Sequence, residues 1–243
     1  RSYDLEERCT KQKYKTDYFS RKSVKRREGL RSKNQRKEEI AQYKLEVAFT
    51  QLPSSFKLLS DLLFKTKEGY RQIHHLLLSP YGLFIVEGFN LAGLIVGDGE
   101  DNQWIQKIRW RIKTFPNPLL ENRKAIIFLR EKAQIEESIP IFSYVTFSRR
   151  CKLKVFWGTV LYDTDILASL KQLLFNISPI LSKEEVGELY ERIAQLNIRD
   201  PHIRKEQFAR KRREIIRQRP RMGNLRCHIC QKPISERIAR YCL

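Results

Sequence analysis

Two neighbouring apolar segments, residues 72–78 and 84–90, each carry an ionisable side chain that could take part in chemistry. The first contains His74 and the second contains Glu87. Both are rich in β-branched or large aliphatic residues, and the Pro and Gly within residues 79–82 are typical of a turn. We therefore predict a β-hairpin in a buried sheet. A carboxylate suits a hard divalent cation, and Mn²⁺ also accepts an imidazole ligand.

A second candidate site lies near the C-terminus, where Cys227 and Cys230 have the C-x-x-C spacing of half a zinc site. Two thiolates at this spacing can bind one tetrahedral Zn²⁺, which needs four ligands. Cys242 is a candidate third metal ligand, whereas His228 lies inside the knuckle and is poorly placed. A second C-x-x-C does not follow, so bound zinc and a pair of reduced free cysteines both remain open. The odd total of five cysteines argues against a disulfide framework.

The chain is strongly basic. Its 243 residues include 48 Lys and Arg against 28 Asp and Glu, which gives a formal net charge of +20. This imbalance predicts a polyanionic partner, nucleic acid first. DNA is the expected partner, although the sequence does not distinguish it from RNA. A solvated charged helix and a helix on an anionic lipid surface are the alternatives, and the thin apolar face disfavours the second. The residues that we expect to contact phosphates are Lys25, Arg26, Arg27, Arg210, Lys211, Arg212 and Arg213.

Membrane-spanning segments are not predicted. No run approaches the ~20 consecutive apolar residues of a spanning helix, and the N-terminus has no signal-like apolar core. We therefore expect a soluble cytoplasmic protein. The sequence leaves its oligomeric state open.

Strand-like and helix-like patterns intermingle, which predicts an α/β (α+β) fold. Residues 1–37 are predicted to form a basic arm, 38–199 the core domain, 200–222 a basic helix that projects from the core, and 223–243 a partial zinc-knuckle segment. The spacing of Ile40, Tyr43 and Val47 predicts that this side of the first helix faces the core. Other predicted elements are strands at 56–64, 93–97, 139–147 and 153–161, a helix from Asn117 to about Glu131, a helix capped by Thr164 or Asp163, and a helix with a capping box at Ser182.

Several short motifs, in the same order along residues 38–150, resemble the nuclease-related domain (NERD) family. The resemblance implies a restriction-endonuclease-like core, which is a mixed sheet flanked by helices, and some family members end in a zinc-ribbon-like module. The matching motifs are Gln42-Tyr43-Lys44, Ser60-Asp61-Leu62-Leu63, Gln72-Ile73-His74-His75, Ser79-Pro80-Tyr81-Gly82, Glu87, Gly93, Trp104 and Asn117-Pro118-Leu119-Leu120-Glu121-Asn122.

The resemblance places the catalytic candidates at His74, Glu87 and Glu121, but most polar positions of the family site differ here. The family typically has Glu at the position of Gln42 and Asp at that of His74. It has a Glu-x-Lys motif where this chain has Glu87 followed by Gly and Phe89, and a Gln at the position of Glu121. Only Glu87 is retained.

These replacements predict a loss of catalysis. Phosphodiester hydrolysis needs a cation such as Mg²⁺ held by at least two oxygen ligands. His74 removes one anionic ligand, and Phe89 cannot orient the attacking water as a lysine would. We therefore expect a protein that binds nucleic acid with little or no cleavage.

Two alternatives stay open. In one, His74, Glu87 and Glu121 bind Mg²⁺ or Mn²⁺ and the protein is a working DNA nuclease. In the other, the former active-site groove binds a protein through Phe84, Phe89 and Trp104.

Overall fold

A computed structural model describes residues 33–217 except 68, 110 and 156. Within that part of the chain there are five helices and nine strands. The helices are α1 (Lys33–Phe49), α2 (Pro118–Lys132), α3 (Ile166–Phe175), α4 (Lys183–Leu196) and α5 (Pro201–Arg217). The strands are β1 (Lys57–Thr66), β2 (Gly69–Ser79), β3 (Gly82–Phe89), β4 (Gly93–Val96), β5 (Gln103–Ile108), β6 (Arg111–Pro116), β7 (Ile141–Phe147), β8 (Cys151–Lys154) and β9 (Val160–Tyr162).

The strands form two mixed sheets. The five-stranded sheet has the order β1-β2-β3-β7-β9, and the four-stranded sheet has the order β6-β5-β4-β8. In the first, β3 and β7 are parallel, whereas β1, β2 and β3 are antiparallel neighbours. In the second, β4 and β8 are parallel and the other pairs are antiparallel. The α/β class expected from the sequence, with mixed sheets flanked by helices, is confirmed.

Helices cover both faces of the five-stranded sheet. Leu129 of α2 and Ile193 of α4 belong to one apolar cluster with the sheet, and Leu45 of α1 and Leu170 of α3 belong to another. The four central residues of β3, 83–86, are fully buried because both faces of that strand are covered. This explains why the strand appears in the sequence as a continuous apolar run.

The predicted central hairpin is confirmed. Strands β2 and β3 are antiparallel and close at the pair Ser79–Gly82. Gly82 has φ +118°, and a Cβ atom there would collide with the carbonyl oxygen of Pro140. Only glycine fits this turn without strain.

The prediction for the buried side of α1 is wrong. Ile40, Tyr43 and Val47 are 45–48% exposed, whereas Leu45 and Phe49 face the sheet. Helix α1 has two apolar sides, and the buried one packs against β3 at Gly88, where a Cβ atom would lie 2.6 Å from Leu45 Cδ1. The missing side chain allows the helix to approach the strand closely.

Two further predictions need correction. The segment 153–161 is not one strand, because a turn that includes Gly158 separates β8 from β9, which belong to different sheets. Helix α3 begins after Asp165 rather than after Thr164 or Asp163, and Asp165 makes no side-chain cap. Its carboxylate is instead paired with Arg149 at 2.9 Å.

Candidate functional site

The structure brings His74 and Glu87 together where the central hairpin opens. The β2–β3 ladder ends at the pair His75–Val86. Beyond it, the backbone N–H of His74 donates to Glu87 Oε1 at 3.1 Å, and His74 Nδ1 lies 2.6 Å from Glu87 Oε2. Both oxygens of the carboxylate are therefore in contact with the same residue.

The charge state of Glu87 results from two opposing effects. Burial acts to raise the pKa of this carboxyl group, and the charge and hydrogen bonds of His74 act to lower it. The interaction with His74 wins, so the pKa of Glu87 lies below its usual value. Glu87 is thus a nearly buried carboxylate, 12% exposed, that is paired with the imidazole of its neighbour.

A backbone irregularity at the same level of the sheet positions His74. The β1–β2 register omits the pair Asp61–His74, and Asp61 has φ +54°. On β2, Ile73 and Leu76 enter the same apolar cluster, although strict alternation would place them on opposite faces. Asp61 is stabilised in this left-handed conformation by Arg204, which donates to its carbonyl oxygen at 2.7 Å and to Oδ2 at 2.9 Å.

The neighbouring His75 is a core residue. Its side chain is fully buried, and its ring meets the edge of the Phe49 ring at a centroid distance of 5.7 Å. Burial and the nearby charge of His74 lower its pKa to about 4, against smaller opposite effects of Glu87 and of the backbone at Val86 and Gln42. His75 is therefore neutral at pH 7.

Glu121, the third catalytic candidate, is engaged elsewhere. It lies in the first turn of α2, and its two carboxylate oxygens lie 3.0 Å from Arg71 Nη1 and 3.0 Å from Lys124 Nζ. Glu121 is 45% exposed and interacts with these two cations.

The residues present do not fit a hard divalent cation. Within the described part of the chain, no group of three His, Cys, Asp or Glu side chains could hold a metal ion. His74 and Glu87 face each other, so a cation would have to displace the imidazole from the carboxylate. Gln42 is half-buried on α1 and offers an amide rather than a carboxylate.

The aromatic residues near this site belong to the core. Phe89 stacks on Phe147 at a centroid distance of 5.2 Å and lies 6.2 Å from the Phe115 ring. Phe84 and Trp104 are fully buried. The alternative in which Phe84, Phe89 and Trp104 form a protein-binding groove is therefore wrong for Phe84 and Trp104, whose rings are buried. Phe89 packs against other aromatic rings of the protein.

The basic clusters predicted from the sequence are only partly described. The guanidinium carbon of Arg210 lies 6.0 Å from the centroid of the Tyr70 ring. Lys211, Arg212 and Arg213 follow on α5, and their side chains lie outside the described part of the chain. The other predicted residues outside it are Lys25, Arg26, Arg27, Cys227, Cys230 and Cys242.

Helix α5 does not simply project from the core as predicted. In addition to its contacts with Asp61, Arg204 donates to the carbonyl oxygen of Ile198 at 2.8 Å and to Asn197 Oδ1 at 3.0 Å. The Asp61 carboxylate also accepts from Gln72 Nε2 at 2.8 Å. This network is not apparent from the sequence, because the backbone turn at Asp61 has no clear local sequence signal.

No described helix is long and apolar enough to cross a membrane.

Comparisons with known proteins identify the family of the chain. The family model described as nuclease-related domain matches residues 33–148, which include the central hairpin and α2. An uncharacterized protein of Bacillus anthracis is 30% identical over 161 residues, which cover 63% of this chain and 73% of the relative. No solved structure matches the chain with significance.

Proposed function

This chain belongs to the nuclease-related domain family, and from that premise we propose that it binds nucleic acid, DNA in particular, on a nuclease-like core that no longer cleaves it. The observation that carries the proposal is the state of Glu87. Both of its oxygens are in contact with His74, at 3.1 Å and 2.6 Å. The one carboxylate retained from the family site is thus already paired with the imidazole and the backbone N–H of His74.

A carboxylate that is already paired with His74 is poorly placed to bind the metal ion that phosphodiester hydrolysis needs. Metal-assisted cleavage needs an open set of oxygen ligands beside the phosphate. Here Glu121 interacts with Arg71 and Lys124, and Phe89 packs among aromatic rings at the position of the family's lysine. Both features support a binding role without turnover.

The charge of the chain supports the binding half of the proposal. A net charge of +20 attracts any polyanion. Binding through phosphate contacts is independent of sequence, and for each neutralised phosphate the affinity falls by about 0.9 log unit per log unit of salt.

Incubation of the purified protein with supercoiled and linear DNA in Mg²⁺, Mn²⁺ or EDTA tests the proposal, with cleavage and mobility shift measured on the same samples. We expect a salt-sensitive shift and no metal-dependent cleavage, from the wild type and from Glu87→Gln alike. The matched control is Glu100→Gln, which removes a carboxylate that is 74% exposed and paired with Arg123.

Two results would contradict the proposal. Metal-dependent cleavage by the wild type and Glu100→Gln that disappears in Glu87→Gln would make the protein a nuclease with a substituted site. Absence of salt-sensitive binding to any DNA or RNA would refute the binding role and favour a protein-interaction scaffold.

A further inference from the structure

The four-stranded sheet has one buried and one open face. On β5, Trp104 and Gln106 are buried, whereas Ile105 and Lys107 are exposed. Ile95 of β4 is also buried on the side of Trp104. Because directly paired residues on neighbouring strands share a face, the register extends this division to β4 and β8, whereas on the edge strand β6 residues of both faces are exposed.

The open side, which we call the outer face, consists of two cross-strand rows of four residues. Its eight residues include three lysines and no acid. All are exposed or half-exposed, so no described element covers the face. The rows are Lys152, Leu94, Lys107 and Ile112, and next to it Lys154, Val96, Ile105 and Thr114.

More positive charge lies at one end of this sheet. The β5–β6 turn contains Arg109, which has φ +53°, and Arg111 and Lys113 are exposed on β6, on the side of the hairpin opposite to Ile112. Arg150 is exposed just before β8, at the same end. The segments 102–116 and 148–162 contain no Asp or Glu.

The lysines of this surface are available to a ligand. Among the described residues, no carboxylate lies within 4.0 Å of the amino group of Lys107, Lys152 or Lys154. Lysine is a flexible, strongly hydrated point charge that can follow a phosphate backbone without a fixed geometry. Ile105 and Ile112, which are 41% and 64% exposed, lie beside Lys107 on the outer face and offer apolar contact to sugar rings or bases.

We propose that the outer face and the β5–β6 hairpin form the docking surface for a nucleic-acid duplex. A two-stranded ribbon of this kind is narrow enough to enter the major groove, while lysines on the sheet behind it contact phosphates. The proposal rests on the proposed function and assigns the contact to the folded domain rather than to the terminal basic clusters.

The position of this surface relative to the family site supports the assignment. The β3–β7 ladder ends at Phe89–Phe147, and the β4–β8 ladder begins at Gly93–Cys151. Glu87 is on β3, so the strand that carries it leads directly into the four-stranded sheet. A duplex on the outer face is thus held by the strands that extend from the former catalytic position.

Two charge-removing variants test the docking surface. One is Lys107→Gln/Arg111→Gln/Lys113→Gln on the hairpin, and the other is Lys152→Gln/Lys154→Gln on β8. Fluorescence anisotropy with a short labelled duplex is measured over a range of salt concentrations. We expect the hairpin variant to bind at least roughly tenfold more weakly and its log–log salt slope to fall by about 0.9 for each phosphate contact removed.

The control is Lys65→Gln/Lys171→Gln/Lys183→Gln, which removes the same number of charges from exposed positions on β1, α3 and α4. We expect its affinity to change by less than about threefold, with a wild-type salt slope, because distant charges act only through a screened field. All the substituted side chains are exposed, and circular dichroism verifies that each variant is folded.

Equal weakening in the control and both surface variants would overturn the proposal. So would wild-type affinity in the surface variants. If the hairpin variant does not fold, the β8 variant alone is compared with the control, and the same two results would overturn the proposal. If the wild type binds no duplex at all, the proposed function itself fails. Failure of the docking surface alone is distinguishable from this result, because the wild type would then still bind the duplex.

Discussion

At the scale of single residues, His74 and Glu87 act as one unit. The imidazole and the backbone N–H of His74 contact both oxygens of the carboxylate. Truncation of either partner would leave a buried polar or charged group without its counterpart, which costs about 3–5 kcal/mol for a buried ion pair. The sequence reveals both residues and the missing lysine at Phe89. It does not reveal the pairing, which depends on where the β2–β3 ladder opens.

The lowered pKa of His75 predicts how the free energy of unfolding depends on pH. Its pKa is lowered from 6.5 to about 4 in the folded protein, so between these values the unfolded chain binds the proton more readily. The free energy of unfolding is therefore highest above about pH 6.5 and falls, by on the order of 3 kcal/mol, as the pH decreases toward 4. Urea denaturation at neutral and mildly acidic pH measures the effect.

Two variants separate His75 from other titrating groups. His75→Gln is expected to be less stable at neutral pH and to lose less stability on acidification than the wild type. His202→Gln, at an exposed position in the first turn of α5, is expected to keep the wild-type dependence. The nearby titratable residues Glu46, His74 and Glu87 are present in all three proteins. The same pH dependence in His75→Gln and the wild type would refute the explanation.

At the scale of elements, the sequence predicted the central hairpin, α2 and α4 because each carries a strong local signal. It missed β5 and β6, whose residues are mostly exposed and lack a long apolar run. It also assigned the wrong side of α1 to the core, since the helix has two apolar sides and its local sequence does not show that Gly88 on a distant strand leaves room for Leu45. Local pattern fixed the elements with strong signals, and tertiary contacts decided the rest.

The side chain of Asn117 caps α2 and also contacts the loop between β4 and β5. Its Oδ1 accepts from the backbone N–H of Leu119 at 2.9 Å, as expected for an N-cap. Its Nδ2 also lies within hydrogen-bonding distance of three carbonyl oxygens of the β4–β5 loop, those of Asp98, Gly99 and Asp101. The side chain is 1% exposed and joins that loop to the start of α2.

We expect Asn117→Ala to lower the free energy of unfolding by about 2–4 kcal/mol, since it removes a cap and leaves buried carbonyl groups unsatisfied. Ser182→Ala removes the exposed capping box of α4 and should cost about 1 kcal/mol. Urea denaturation followed by circular dichroism compares them. Equal losses would show that the loop contacts of Asn117 contribute nothing.

At the scale of the whole molecule, the C-terminal helix is attached to the sheet through Arg204. Its guanidinium contacts Asp61, Asn197 and Ile198 and is only 18% exposed. The sequence indicated the helix but not this attachment, because Arg204 and Asp61 are separated by 143 residues. The attachment gives α5 a fixed direction relative to β1.

Arg204→Met should detach the start of α5 while the sheets remain folded. We expect amide hydrogen exchange in residues 201–210 to become roughly tenfold faster, because local opening no longer breaks charge-assisted hydrogen bonds. Lys205→Met, at the adjacent exposed position, should leave the exchange unchanged. Unaltered exchange in Arg204→Met would mean that other contacts hold the helix.

Strand β6 is an edge of its sheet, and no strand of the described residues pairs with its outer side. Ile112 on this strand is 64% exposed and is flanked by Arg111 and Lys113. Such an edge invites pairing with the same edge of another molecule, and like charges on it oppose that pairing. The charges that we assign to phosphate binding therefore also protect the free protein from aggregation. Variants that weaken nucleic-acid binding at this strand are expected to be less soluble for the same reason.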